Sequence, residues 1–164
     1  MGGMNTYINQ VTRHLAVLGV SADIYTRSHN SHNLQVIDMG SGVRVVHIPS
    51  GPLSTPKEFM DNYLSDFVDG VKEFSANNDL SYSLIHSHYW LSGAAGIELS
   101  NHWGIPHVAN FHTMAEVKKR ARVGENEPSI RSVGEQRVME SAQRIVAFTP
   151  HEKNAMVRYY GASP

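Results

Sequence analysis

Cysteine is absent from the 164 residues of this sequence. That absence excludes a disulfide framework, a zinc site with cysteine ligands and catalysis by a thiolate, and it fits a reducing compartment. No excess of one charge is present either, since 14 Lys and Arg residues stand against 15 Asp and Glu residues. Such a balance removes the broad attraction that binding to nucleic acid or to an anionic membrane without sequence preference requires.

Long apolar runs are also missing. No stretch approaches the roughly 20 residues that a membrane span requires, and no basic segment followed by an apolar run marks a signal peptide. No repeat, low-complexity tract or long linker divides the chain. We therefore predict a cytoplasmic protein in which residues 1–164 form one globular domain without a membrane span.

The hydrophobic pattern predicts regular elements in a definite order. Apolar residues at three- and four-residue intervals predict a first helix from Met4 to Leu18. Runs rich in β-branched residues predict strands at 22–26, 34–39, 43–48, 83–86, 107–111 and 144–148. Further apolar stripes and small-residue runs predict helices at 59–74, 91–103, 129–142 and 150–160. Strands and helices alternate, apart from one hairpin, so we expect an α/β fold with a doubly wound, mostly parallel, Rossmann-like sheet.

The beginning of the pattern departs from that fold. A doubly wound sheet begins with a strand, and its glycine-rich turn follows that strand. Here a Gly2-Gly3 turn and a helix come first. We therefore expect that the first strand is missing and that the natural protein continues before Met1 and after Pro164.

Polar residues gather where the predicted strands end, which is where α/β sheets bind their ligands. The glycine turn before the first helix could approach an anion, although an ordinary helix start capped by Asn5 explains it equally well. The string from His86 to Trp90 follows a strand and has the composition of a ligand rim. For His86 and Trp90 we expect packing roles. Thr113, after the next strand, is expected to cap a helix.

Two cations could join these strand ends. Taken singly, Lys57 fits an exposed lysine at a helix start, and Arg131 fits a solvated helix residue. In one cleft with Thr and Tyr hydroxyls, however, they would hold a phosphate. The basic stretch 118–122 lacks interleaved aromatic residues and is interpreted as a solvated helix face or a loop, not as a nucleic-acid site.

Several segments, in this order, resemble one family: Gly2-Gly3-Met4-Asn5, His86-Ser87-His88-Tyr89-Trp90-Leu91-Ser92-Gly93, His112-Thr113 and Arg131-Ser132-Val133-Gly134-Glu135-Gln136. Their pattern is similar to the amino-terminal domain of retaining nucleotide-sugar glycosyltransferases of the GT-B architecture, family four. Within that family the likeness is greatest to the inositol-phosphate N-acetylglucosaminyltransferases of mycothiol biosynthesis, and next to the sucrose-phosphate and sucrose synthases.

The resemblance implies specific roles. It assigns the acceptor phosphate to four residues, Lys57, Tyr89, Thr113 and Arg131. It places Asn5 on the inositol ring, Gly3 against the donor diphosphate and His112, the catalytic candidate, near the transferred sugar. The implied co-substrate is a nucleotide-sugar, expected to be UDP-linked, with no tightly bound cofactor and no metal.

The resemblance also implies partners. The nucleotide-sugar is gripped by a carboxyl-terminal domain absent from this sequence, so we expect an enzyme when complete and an inactive fragment as given. The small-molecule acceptor is an inositol phosphate or a sugar phosphate, and a homodimer is compatible with these residues.

Three other interpretations stay open. A sucrose-phosphate synthase would use the same fold with fructose 6-phosphate as acceptor. A stand-alone module could bind a sugar phosphate without catalysis. A metal-dependent hydrolase could use His86, His88 and His112 as ligands, although no nearby carboxylate completes such a set.

Overall fold

The computed structural model describes residues 2–121 and 127–163. The chain divides into two compact units, Met1–Asn78 and Asp79–Pro164. Each unit contains its own three-stranded sheet. The expectation of one domain over 1–164 stays a prediction.

The first unit combines two helices and one 3₁₀ helix with a mixed sheet. Its elements are α1 (Gly3–Val17), β1 (Ala22–Arg27), β2 (Val36–Gly40), β3 (Val43–Ile48), the 3₁₀ helix Lys57–Tyr63 and α2 (Leu64–Asn77). β3 pairs in parallel with β1 and antiparallel with β2. This confirms the predicted hairpin. The apolar side chains of β3 and α2 form the buried part of this unit: Val43, Val46, Ile48, Val68, Val71 and Phe74.

The helix predicted at 59–74 is wrong in its first part. The chain winds as a 3₁₀ helix up to Tyr63 and becomes α-helical only from Leu64. Tyr63 is anchored by the turn before it, because the Ser50 hydroxyl donates to its carbonyl at 2.7 Å and its ring packs on Gly51. A Cβ on Gly51 would lie 2.4 Å from that ring. The spacing of apolar residues could not predict the contacts of Tyr63 with Ser50 and Gly51, which lie outside the predicted helix.

The second unit has a fully parallel sheet. Its elements are β4 (Ile85–His88), α3 (Trp90–Trp103), β5 (His107–Asn110), α4 (Ala115–Ala121), α5 (Ser129–Ser141), β6 (Arg144–Ile145) and α6 (Pro150–Tyr160). The strand order is β4, β5, β6. Its core includes Phe111, Met114, Val138, Met139, Met156 and Tyr160. The expected α/β class with parallel strands is confirmed here.

Two strands of this unit differ from prediction. β4 begins at Ile85, not at 83, because its pairing starts where Ile85 lies opposite His107, and Leu84 remains half exposed at 50%. β6 ends at Ile145, not at 148, because the following residues cap α6. The Thr149 hydroxyl accepts the N–H of Glu152, and the Glu152 carboxylate accepts the N–H of Phe148.

Close packing explains two glycines of this unit, Gly96 and Gly134. A Cβ on Gly96 of α3 would lie 2.5 Å from the ring of His107, so α3 packs directly on β5. Trp90 packs on Gly134, where a Cβ would lie 2.5 Å from the indole. The expected packing role of Trp90 is thereby confirmed. Across residues 2–121 and 127–163, no helix is both long and apolar enough to cross a membrane.

Candidate functional site

Two strained residues mark the carboxyl ends of β4 and β5. Tyr89 has a φ of 78° and His112 a φ of 60°, in the left-handed region that side chains with a Cβ avoid. Such strain costs of order 1–3 kcal/mol and concentrates at functional sites. The Tyr89 N–H donates to the carbonyl of Asn110 at 2.8 Å, which joins the two strand ends. Both residues belong to the segments expected to bind ligand.

Arg131 of α5 lies buried at these strand ends, with 4% of its surface exposed. Its Nη2 donates to the hydroxyl and to the carbonyl of Thr113, each at 3.0 Å. Its Cζ lies 5.0 Å from the centroid of the Tyr89 ring, within reach of a cation–π contact. The structure thus brings together three of the four residues expected at the phosphate, and the interpretation of Arg131 as a solvated helix residue is wrong.

The expected cap on α4 is also wrong. The N–H of Ala115 donates to Glu135 at 2.9 Å, while the Thr113 hydroxyl accepts from Arg131. Because that hydroxyl oxygen accepts a bond from a cation, its own hydrogen is directed elsewhere and can be donated to an oxyanion. Thr113 therefore offers a donor whose direction is set by Arg131.

Two carboxylates fix the guanidinium of Arg131. Its Nε donates to Glu135 at 2.8 Å and its Nη1 to Glu127 at 2.7 Å. Glu135 has no exposed surface and also accepts the hydroxyl of Tyr160. These two carboxylates were not among the residues predicted from the sequence, although the spacing of Arg131 and Glu135 by four residues on one helix was a usable signal.

The strand ends also border a cavity. It has a volume of about 290 Å³, close to the lower limit for small-molecule sites. Its lining combines polar strand-end residues with the starts of α4 and α6: His112, Thr113, Met114, Val117, Lys118, His151, Glu152 and Ala155. A ligand in this cavity would touch His112 and the threonine that Arg131 orients.

Three histidines lie side by side, and one of them, His112, lines this cavity. Nδ1 of His88 and Nε2 of His112 share a hydrogen bond of 3.0 Å. The rings of His86 and His88 are 4.4 Å apart, and Nε2 of His86 bonds to the side-chain oxygen of Asn110. Asn110 in turn donates its amide to the carbonyl of Val146 at 2.9 Å. The expected sheet-bonding role of His86 is confirmed.

Burial disfavours the charged form of two of these imidazoles, His88 and His112. It lowers the pKa of His88 to about 3, helped by the neighbouring His86 and His112. Burial, followed by the proximity of His86, also lowers the pKa of His112. Within the described residues, no group of three or more His, Cys, Asp or Glu side chains could hold a metal ion. The hydrolase alternative therefore has no support in this part of the chain.

The remaining candidates belong to the first unit and are exposed. Gly3 and Asn5 lie in the first turns of α1, and a Cβ on Gly3 would meet nothing within 4 Å. Lys57 begins the 3₁₀ helix with 85% of its side chain exposed, and its Nζ lies 3.8 Å from Glu58. The roles expected for Gly3, Asn5 and Lys57 stay predictions.

The basic stretch 118–122 is paired with carboxylates where the structure describes it. Lys118 contacts Glu127 at 3.1 Å, and Lys119 and Arg120 contact Glu116 at 2.8 and 2.7 Å. Residue 122 lies outside the described residues. These pairs support the interpretation of 118–121 as a polar helix face.

Fold and site together define an α/β protein with a cluster of polar side chains at its parallel strand ends, the place where such sheets bind ligands. Residues 2–164 match the family model described as "Glycosyl transferase 4-like domain", and the chain belongs to that family. It is 42% identical, over 99% of its length, to the D-inositol 3-phosphate glycosyltransferases of Corynebacterium diphtheriae and of Thermomonospora curvata. It spans 39% of the length of each of those curated relatives.

A solved structure supports the same fold. The chain superposes on sucrose-phosphate synthase from Thermosynechococcus elongatus with a TM-score of 0.88 and 28% sequence identity. The match covers 97% of this chain and 40% of the synthase. The expected Rossmann-like fold of a GT-B amino-terminal domain is thereby confirmed.

Proposed function

We propose that this chain is the acceptor-binding domain of a retaining glycosyltransferase, which transfers a sugar from a nucleotide-sugar to a phosphorylated acceptor. The favoured acceptor is an inositol phosphate, and the favoured donor is a UDP-sugar. The proposed catalytic unit includes the protein's own carboxyl-terminal domain, which binds the nucleotide, and the proposed location is the cytoplasm. The names of the curated relatives support the acceptor class.

One observation carries the proposal: Tyr89, Thr113 and Arg131 meet although they come from three separate segments of the chain. A buried guanidinium fixed beside two hydroxyl-bearing side chains suits a phosphate, because charge-assisted hydrogen bonds to an oxyanion are strong. In the proposed complex Lys57 adds a second positive charge and Asn5 contacts the inositol ring. The acceptor phosphate then supplies remote binding energy that orients the reacting hydroxyl.

The proposed reaction needs no protein nucleophile. The acceptor oxygen bonds to the anomeric carbon on the face from which the diphosphate departs, so the configuration is retained. The bond between that carbon and the diphosphate oxygen breaks, and the leaving phosphate takes the acceptor proton. N–H groups near Gly3 stabilise the departing charge, and His112 contacts the transferred sugar.

The test is a transfer assay with the full-length protein. It would be incubated with a UDP-sugar and either inositol 3-phosphate or fructose 6-phosphate, and products would be identified by mass spectrometry. We expect a glycosylated inositol phosphate with a retained anomeric configuration. No product from either acceptor, with several nucleotide-sugars, would contradict the proposal.

The superposition on a sucrose-phosphate synthase favours a second candidate. In that case fructose 6-phosphate is the acceptor, and the same assay yields a disaccharide phosphate. A binding module without catalysis would bind the phosphorylated compound in calorimetry and give no product.

A further inference from the structure

We propose that His88 is a positioning residue whose hydrogen bond ties the tautomer and the ring orientation of His112 to its own. This inference rests on the proposed function, in which His112 meets the transferred sugar.

The hydrogen bond between His86 and Asn110 has a defined donor. Asn110 donates its side-chain N–H to the carbonyl of Val146, so its side-chain oxygen is the atom that faces His86. An amide oxygen only accepts, and Nε2 of His86 must therefore carry a proton and donate it. The ring of His86 is thus oriented by Asn110 of β5, which is itself held by the carbonyl of Val146 just after β6.

His88 is held between the other two histidines. Its ring lies 4.4 Å from the ring of His86, and its Nδ1 lies 3.0 Å from Nε2 of His112. His112 itself follows a buried Phe111 and has a left-handed backbone. Both ends of the His88–His112 bond are thus restrained, one by a neighbouring ring and the other by the main chain.

The number of ring protons couples the tautomers of His88 and His112. A neutral imidazole carries one N–H, and the bond between His88 and His112 needs one donor and one acceptor. When Nδ1 of His88 carries the proton, Nε2 of His112 must be bare and its proton lies on Nδ1. When Nδ1 of His88 is bare, its proton lies on Nε2, and Nε2 of His112 must carry the other. The two rings are therefore always the same tautomer.

The consequence concerns the opposite side of the His112 ring. Its Nδ1 is a hydrogen-bond donor in the first state and an acceptor in the second. Which of these His112 presents towards a sugar hydroxyl is therefore tied, through the shared hydrogen bond, to the tautomer of His88. A residue that holds a functional imidazole in this way typically contributes about 10- to 100-fold to activity.

The test uses two isosteric variants of the full-length protein. His88→Asn keeps a polar atom at the position of Nδ1 and can either donate or accept, whereas His88→Leu has a similar shape and neither ability. We expect His88→Leu to lower kcat by about 10- to 100-fold with little change in the acceptor KM, and His88→Asn to restore most of the loss. His102→Leu, at an exposed histidine of α3, is the control and should change neither constant.

A spectroscopic measurement tests the link without activity. With histidine labelled by ¹⁵N, the ring nitrogen shifts report the tautomer, and loss of a signal in His112→Asn assigns His112. We expect His88 and His112 to share one tautomer in the wild type, and His112 to show a mixture in His88→Leu. Should His88→Leu fail to fold, His88→Gln replaces it. The longer side chain of Gln places its amide beyond the position of Nδ1, so the hydrogen bond to Nε2 of His112 is lost while a polar group is kept.

The outcomes separate the two proposals. Different tautomers in the wild type, or an unchanged His112 signal and an unchanged kcat in the variant that lacks the polar atom, would overturn the role of His88. A wild type without transferase activity would refute the proposed function, while the nitrogen shifts would still decide whether the tautomer of His112 is tied to that of His88.

Discussion

The candidate residues of the two units differ in how firmly they are held. In the second unit Arg131 is 4% exposed and bonds to Thr113, Glu127 and Glu135. In the first unit Lys57 has 85% of its side chain in solvent and one long ion pair. The buried group forms part of the folded core before any ligand binds, whereas Lys57 can contribute only when a ligand arrives. The two sets should therefore respond differently to mutation.

The largest effect is expected at Glu135. Glu135→Ala removes the buried carboxylate that holds Arg131, Ala115 and Tyr160. Leaving one partner of a buried pair uncompensated costs about 3–5 kcal/mol, and the free energy of unfolding in urea should fall by that amount. Glu140→Ala, at an exposed position on the same helix, should stay within about 0.5 kcal/mol. An equal loss of unfolding free energy in the two variants would contradict the expected difference between buried and exposed residues.

The next effect depends on pH. Burial lowers the pKa of His107 to about 4 and that of His88 to about 3, from 6.5 in the unfolded chain. The unfolded state then binds more protons, so stability is complete above pH 6.5 and falls as the pH drops towards those values. Each group adds a slope of about 1.4 kcal/mol per pH unit.

Urea unfolding between pH 7 and pH 5 measures that slope. His107→Gln removes one of these groups, and its amide can still reach the hydroxyl of Ser87, which bonds to His107 at 2.7 Å. Because His88 and His112 keep their lowered pKa values, we expect the slope to fall by about a third to a half in this variant. A slope that stays the same would show that His107 does not control the acid response.

A smaller effect is expected from packing. Gly96→Ala places a methyl group 2.5 Å from the ring of His107, a contact that forces a shift and should cost about 1–3 kcal/mol of stability. Gly3→Ala, in the first unit, meets nothing within 4 Å and should leave stability unchanged or slightly raised. Thermal unfolding of the two variants compares them directly, and a destabilised Gly3→Ala would contradict the account of that exposed turn.

The smallest effect on stability is expected at Lys57. Lys57→Ala should change the free energy of unfolding by less than about 0.5 kcal/mol, because the side chain is exposed. In the proposed complex this variant lacks one of the two positive charges at the acceptor phosphate, so the affinity of the variant for a phosphorylated acceptor should fall. Calorimetry with inositol 3-phosphate checks the affinity, and an unchanged dissociation constant would exclude Lys57 from the phosphate site.

The burial of Arg131 also changes how its own role can be tested. Arg131→Ala would leave Glu135 buried without its cation, so any loss of binding would be mixed with a loss of stability. Substitutions at Thr113 separate the two more cleanly, because the hydroxyl contacts Arg131 and the cavity while the backbone remains in place.

Much of the fold could be predicted from local pattern. The spacing of apolar residues gave α1 and α6 to within a residue, and the hairpin of β2 and β3 followed from two β-branched runs separated by a glycine turn. Errors arose where contacts distant in sequence decide the boundary. The start of β4 depends on its pairing with His107, and the end of β6 depends on the cap of α6.

The residues of the candidate site could be predicted only in part from the sequence. Family likeness and residue chemistry both selected Tyr89, Thr113 and Arg131, which the structure brings together. The role of Glu135 was not foreseen, because its bonds to Ala115 and Tyr160 join residues 20 and 25 positions away. Gly3 and Lys57 are exposed in the described part of the chain, so their roles still depend on residue chemistry and on the resemblance.

The most direct test of the central claim is calorimetry of the full-length protein with inositol 3-phosphate and with unphosphorylated inositol. The account predicts at least about 100-fold tighter binding of the phosphorylated compound, equivalent to about 2.7 kcal/mol. Thr113→Val should remove most of that preference and Thr113→Ser should keep it. Equal affinity of the wild type for the two compounds would contradict the assignment of these strand ends to a phosphate.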